Sequence, residues 1–368
     1  MAALGLAYKS TRFECLPLTR KRLNTIPMLR PAMLTAAIFT SSLLWAQADS
    51  ANLYFQKGLE EKKNGRLMES FKHFDKAYSY NKKDKQIVNE LASTYFDLRK
   101  YSQARIKYKE AEQLGEVSAE GYKKLMTLSF NLRQYEDAIL YANKLKQVDN
   151  NEKVSYYIGK AHYDGENYGE AIKFLNEAAK EDPENGEIPY LVARSYADMM
   201  NFKLAIPHFE KAISLSPDKP SWIYETGLIY YAIHDDKNAL KYILLAGEKG
   251  HKRDNDYLEN LGIAYLNAGE LDKGLEIMQE VLTRRPSDMN VLNMVAEAYY
   301  SAQKYKEAME YWDRILGYDK QNASALYMIG MCYQKSGEKE KGIALCDKAI
   351  EMDPSLAALK QKKQMPGM

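Results

Sequence analysis

Leu258-Glu259-Asn260-Leu261-Gly262-Ile263-Ala264-Tyr265 is the stretch on which the fold turns. Leu258, Leu261, Gly262 and Tyr265 stand at offsets 0, 3, 4 and 7. That spacing is one face of an α-helix. Nine residues after Tyr265 comes Gly274, with Leu271 three before it. The same small position recurs as Ser70, Ala104, Ala138, Ala171, Ala205, Ala239, Gly274, Ala308 and Gly342, at spacings of 34, 34, 33, 34, 34, 35, 34 and 34. Such self-similarity is the mark of a repeat array.

Other columns keep this phase. Nine residues before the small position stand Tyr95, Tyr196, Tyr230, Tyr265, Tyr299 and Tyr333. Twelve before it stands Gly (Gly159, Gly227, Gly262, Gly330) or Ala (Ala92, Ala193, Ala296). Four after it comes a large side chain, as in Phe74, Tyr108, Leu175, Phe209 and Trp312. Pro183, Pro217, Pro286 and Pro354 close four of the copies. Each unit thus has two apolar stripes split by a polar or Gly-bearing turn such as Asp164-Gly165-Glu166-Asn167. The unit is a helix, a tight turn and an antiparallel helix. The small columns remove bulk where the helices cross, and Pro stops the second helix. No unit buries both faces alone, so neighbours must stack. The expected fold is all-α, an α-α superhelix (solenoid) of about nine helix-turn-helix units over 49–356, with a short capping helix and tail over 357–368.

The pattern resembles the tetratricopeptide repeat. Leu258 to Tyr265 matches that family's first-helix pattern, and Ala205, Phe209 and Pro217 match its second. The resemblance covers roughly residues 51–356. The third copy departs with Met126 and Ser129 where Gly and Tyr are usual, and the sixth replaces the Pro turn with Gly247 to Arg253. In proteins of this kind a second stripe on the first helices lines a concave groove. Here that stripe reads Tyr156, Lys160, Tyr163, then Tyr190, Arg194, Ala197, then Tyr224, Leu228, Tyr231, with Phe96, Phe130, Tyr300, Tyr327 and Met331 at matching places. Tyrosine offers a large contact area with a polar tip, and the chain holds 29 of them. The alternative use of the same tyrosines is stacking between adjacent repeats. With Lys160 and Arg194 among the rings, the groove reading expects a segment bearing carboxylates. The family's carboxylate-clamp set for chaperone C-termini is not reproduced, because Thr127 stands where Lys123 would need Asn.

Residues 1–48 read as an extension and signal peptide. Lys9, Arg12, Arg20, Lys21, Arg22 and Arg30 precede an apolar run from Ala32 to Ala46, which ends in Ala46-Gln47-Ala48. A basic flank, an apolar run of this length and small residues two apart predict cleavage after Ala48. Counted from Met28 the leader is 21 residues, so Met28 is the expected start. The alternatives are an uncleaved anchor helix, for which the run is short, and a mitochondrial presequence. The cleaved reading expects export, to the periplasm of a Gram-negative-type bacterium, with membrane association only if the leader stays attached.

Net charge is +2, from 52 basic and 50 acidic residues among 368. That balance disfavours nucleic acid as a partner. Phosphate loops, dinucleotide fingerprints and hydrolase elbows are missing from the sequence, and the five histidines are scattered. No catalytic residue, metal or cofactor is expected. Packing is the expected role of His162, which takes a core Tyr position. Cys332 and Cys346 fall in inward columns of the last unit, leaving two buried thiols or a disulfide open. The expected function is a non-catalytic scaffold binding a protein or peptide segment in its groove. The alternative is a structural subunit of a cell-envelope secretion or outer-membrane assembly complex.

Overall fold

The computed structural model describes residues 48–115 and 117–358. The leader through Gln47 and the tail over 359–368 lie outside the described residues. The chain divides between Glu116 and Val117 into two compact units. Repeat spacing runs through that point unbroken, so periodicity does not mark the division. The first unit holds α1 (48–63), α2 (Leu67–Tyr80), α3 (Lys85–Asp97) and α4 (Tyr101–Gln113). The second opens with α5 (Ala119–Asn131), α6 (Tyr135–Val148), α7 (Ser155–Asp164), α8 (Tyr168–Glu181), α9 (Glu187–Asp198) and α10 (Phe202–Leu215). It continues with α11 (Pro220–Ala232), α12 (Asp236–Glu248), α13 (Asn255–Asn267), α14 (Leu271–Arg284), α15 (Met289–Ser301), α16 (Tyr305–Tyr318), α17 (Ala323–Lys335) and α18 (Lys339–Met352). A 3-10 turn, Pro354–Leu356, follows. No strand occurs among the described residues.

Within each unit an odd-numbered helix packs on the next even-numbered one, and that helix packs on the first helix of the following pair. The small columns explain how closely the pairs approach. A Cβ placed on Gly227 would stand 2.8 Å from Ile243 Cγ1, and one on Gly330 would stand 2.7 Å from Cys346 Sγ. The large residues opposite these columns, Phe74, Leu175, Phe209, Met278 and Trp312, are wholly buried. Cys332 and Cys346 are both buried thiols, and burial pushes Cys332 up to about 12.

Turn chemistry is as regular as the core. The residue five before each small position adopts positive φ: Arg99 58°, Arg133 56°, Glu166 60°, Met200 59°, His234 60°, Gly269 81°, Gln303 61° and Gly337 101°. The next amide then donates back across the helix end, as in Asn201 N to Tyr196 O and Lys304 N to Tyr299 O. This left-handed stop satisfies carbonyls that the helix end would orphan. In the Asp164–Asn167 turn the left-handed residue is Glu166 rather than Gly165. Five first helices start on side-chain caps: Asp84, Ser118, Asp254, Asp288 and Asn322 each accept from an amide of the first turn, whereas α7, α9 and α11 start without one. Such caps hold the first turn in place.

Candidate functional site

In the second unit, α7, α9 and α11 place Tyr156, Tyr190 and Tyr224 at one register, with Lys160 and Arg194 one turn later. Each of these residues is tied to the neighbouring repeat. Lys160 Nζ lies 2.6 Å from Glu187 and 3.2 Å from the Tyr156 hydroxyl. Tyr163 donates to Asp198 at 3.1 Å, and the Arg194 guanidinium sits 5.8 Å from its ring centroid. Arg194 Nε is 3.2 Å from Glu225, which also accepts from the Tyr190 hydroxyl at 2.8 Å. The Tyr190 ring stacks on Trp222, centroids 4.3 Å apart. Tyr224 stacks on His251 at 4.3 Å and accepts from Asn260 Nδ2 at 2.7 Å.

Electrostatics follow from this half-buried network. Burial pushes Tyr156 up to about 12. Burial also raises Glu225 above the usual carboxylate range, and the Tyr190 and Arg194 contacts only partly offset it. At Glu187 burial works the same way but loses to hydrogen bonds from Lys160 and Tyr156, so that carboxyl is lowered. The two cations that the sequence offers to a ligand carboxylate are therefore already paired inside the chain. The expectation of a carboxylate-bearing segment loses its basis.

The remaining candidates separate. Tyr327 is 5% exposed and belongs to a buried cluster with Ala323, Cys346, Ala349 and Leu356, so it is core rather than groove. Tyr300 packs edge-on against Tyr305 and Trp312. Phe130 meets Tyr135 edge-on, and Phe96 lies in the first unit against Tyr101. Tyr231 is the open one, at 40% exposure. It borders a cleft of about 450 Å³ walled by Ile263, Leu266, Met294 and Glu297. Aliphatic members of the same stripe make this cleft, and a search for aromatics passes over them. A second cleft of about 450 Å³ lies beside Lys123, Met126 and Tyr157. There Lys123 pairs with Glu152 at 3.0 Å.

Among the described residues no group of three or more His, Cys, Asp or Glu is placed to hold a metal. No helix among them is long and apolar enough to cross a membrane. His162 stacks on Phe174 at 5.5 Å, a packing contact.

Antiparallel helix pairs with one repeated register define an α-α solenoid class. Family models agree: residues 259–317 and 323–356 match tetratricopeptide repeats, and 131–212 match anaphase-promoting complex, cyclosome, subunit 3. The chain is a tetratricopeptide-repeat protein. It is 21% identical over 316 residues to a BBSome complex member BBS4 homolog of Drosophila melanogaster, covering 82% of this chain and 64% of that one. It is 24% identical over 193 residues to Hsp70-Hsp90 organizing protein 1 of Glycine max, covering 43% and 34%. The chain thus spans less than two thirds of the length of these curated relatives. Among solved structures it is similar to YrrB, described as a TPR protein with an unusual peptide-binding site, at 21% identity and TM-score 0.42, covering 51% of this chain and 97% of that one.

Proposed function

We propose that the chain is a non-catalytic adaptor that holds a segment of a protein partner along the first helices of its second unit. The observation that carries this reading is the open cleft at Tyr231, Ile263, Leu266 and Met294. Apolar lining that faces solvent favours a partner, because burying it gains about 25 cal/mol per Å². The lining sets Asn267, Glu297 and Ser301 beside these apolar side chains, so an apolar anchor and polar contacts can be met at one place. The similarity to an Hsp70-Hsp90 organizing protein supports a protein as the partner class. Export belongs to the same proposal. A chain starting at Asp49 keeps Ala51, which packs with Ala77 and Ile87.

A photo-reactive residue at Tyr231 tests the site, with Lys211 on the exposed side of α10 as the control. Crosslinks from position 231 to one partner segment, and none from 211, are the expected result. Equal crosslinking from both positions would refute the groove as the binding surface.

A further inference from the structure

We infer that the segment held in this groove is cationic around an aliphatic anchor, the anchor filling the Tyr231–Met294 cleft. This rests on the groove reading above and fixes the chemistry of its occupant. Three cations facing the stripe are already used: Lys160 on Glu187 at 2.6 Å, Arg194 on Glu225 at 3.2 Å and Arg285 on Glu259 at 2.7 Å. Three carboxylates of the same face have no cation within 4.0 Å among the described residues: Asp164, Asp198 and Glu297. Asp198 accepts only from the Tyr163 hydroxyl, and Glu297 from Asn293 Nδ2 at 2.9 Å. Burial holds Asp164 above its ordinary range although Lys160 and Arg133 both lie near it. Asp198 and Glu297 therefore leave negative charge on the stripe that no ion pair offsets, and Glu297 places part of it in the wall of the cleft.

Complementarity of charge selects the partner, since like charges set against this face are penalised. Asp164 and Asp198 end α7 and α9, while the cleft is built by α11, α13 and α15. With about 10 Å between packed helices, the row spans about 40 Å. An extended segment of about 12 residues covers that length. Its Lys or Arg residues meet Asp164, Asp198 and Glu297, and its Leu-like or Met-like side chain enters the cleft.

The test selects a random 12-residue peptide library on the full chain. Selected peptides are then measured against Asp164→Asn/Asp198→Asn/Glu297→Gln and, separately, against Ser301→Trp, which fills the cleft from its exposed rim. Ala302→Trp is the second filling variant, and unchanged melting is the control for folding. We expect basic peptides with one large aliphatic residue, about tenfold weaker on the charge-neutralised variant, weaker in high salt and lost on the filled cleft. Acidic or uncharged winners, or equal affinity for the neutralised variant, overturn the inference. If binding still fails on the filled cleft, that outcome leaves the groove reading standing. Peptides indifferent to both filling variants overturn the groove reading itself.

Discussion

The left-handed column is the clearest residue-scale finding. Met200 sits at φ 59° with 80% of its surface exposed. Left-handed backbone costs a side-chain-bearing residue about 1–2 kcal/mol, and glycine returns about 0.5–1 of that through unfolded-state entropy. Met200→Gly should therefore gain about 0.5–1 kcal/mol, read as a higher urea midpoint with an unchanged slope. A lower midpoint would show that the Met200 side chain holds something the structure leaves out. Tyr190 gives the opposite case. It stacks on Trp222 and donates to the largely buried Glu225. Tyr190→Ala removes both and should cost about 1–3 kcal/mol, whereas Tyr190→Phe should lose only the hydrogen bond. From the sequence alone this ring could either line the groove or stack between adjacent repeats, and nothing in its column decided between the two. Its partners are in the next repeat, and a column read within one unit does not pair residues across units.

At the scale of the element, each helix was legible because its buried face repeats with the right period. Gly227 and Gly330 could be assigned to close crossings from spacing alone. Several stops were not legible, since Arg99, Met200, His234 and Gln303 carry no turn signature of their own yet take left-handed backbone, and in the Asp164–Asn167 turn the sequence located the turn but not which residue is left-handed. The cleft was likewise hidden, as Ile263, Leu266 and Met294 look like ordinary stacking residues. Two histidines give the helices an acid limit. His162 stacks on Phe174 and His208 on Tyr196, and burial lowers both below the ordinary 6.5. Below pH 6.5 the unfolded chain then binds protons that the folded chain refuses. Stability is level above that pH and falls as acid is added toward the folded-state values. His162→Phe/His208→Phe should lessen the fall of the urea midpoint from pH 7 toward 5, against the opposite-signed contribution of Glu225, whose carboxyl burial raises. An undiminished slope in the double variant would mean other groups set the acid limit.

For the molecule as a whole, stacking of neighbours makes damage local. Ala205 is fully buried with Ala193, Phe209 and Ile229. Ala205→Leu overfills that space at about 1–3 kcal/mol. Hydrogen exchange should rise first in α9 to α12 and leave α17 and α18 protected, as expected when each repeat touches only its neighbours. Simultaneous loosening throughout the second unit would count against that picture. The fixed five-residue step from each left-handed stop to its small column has a further consequence for how such a chain can change length. The 33- and 35-residue spacings are absorbed entirely between Val148 and Ser155 and between Glu248 and Asn255. One residue inserted inside a hairpin would turn the following helix by about 100° and roll its buried side into water. The same insertion at a junction between hairpins merely displaces the next pair as a body. Those two connections are therefore where an engineered loop can be spliced in without disturbing the register on either side.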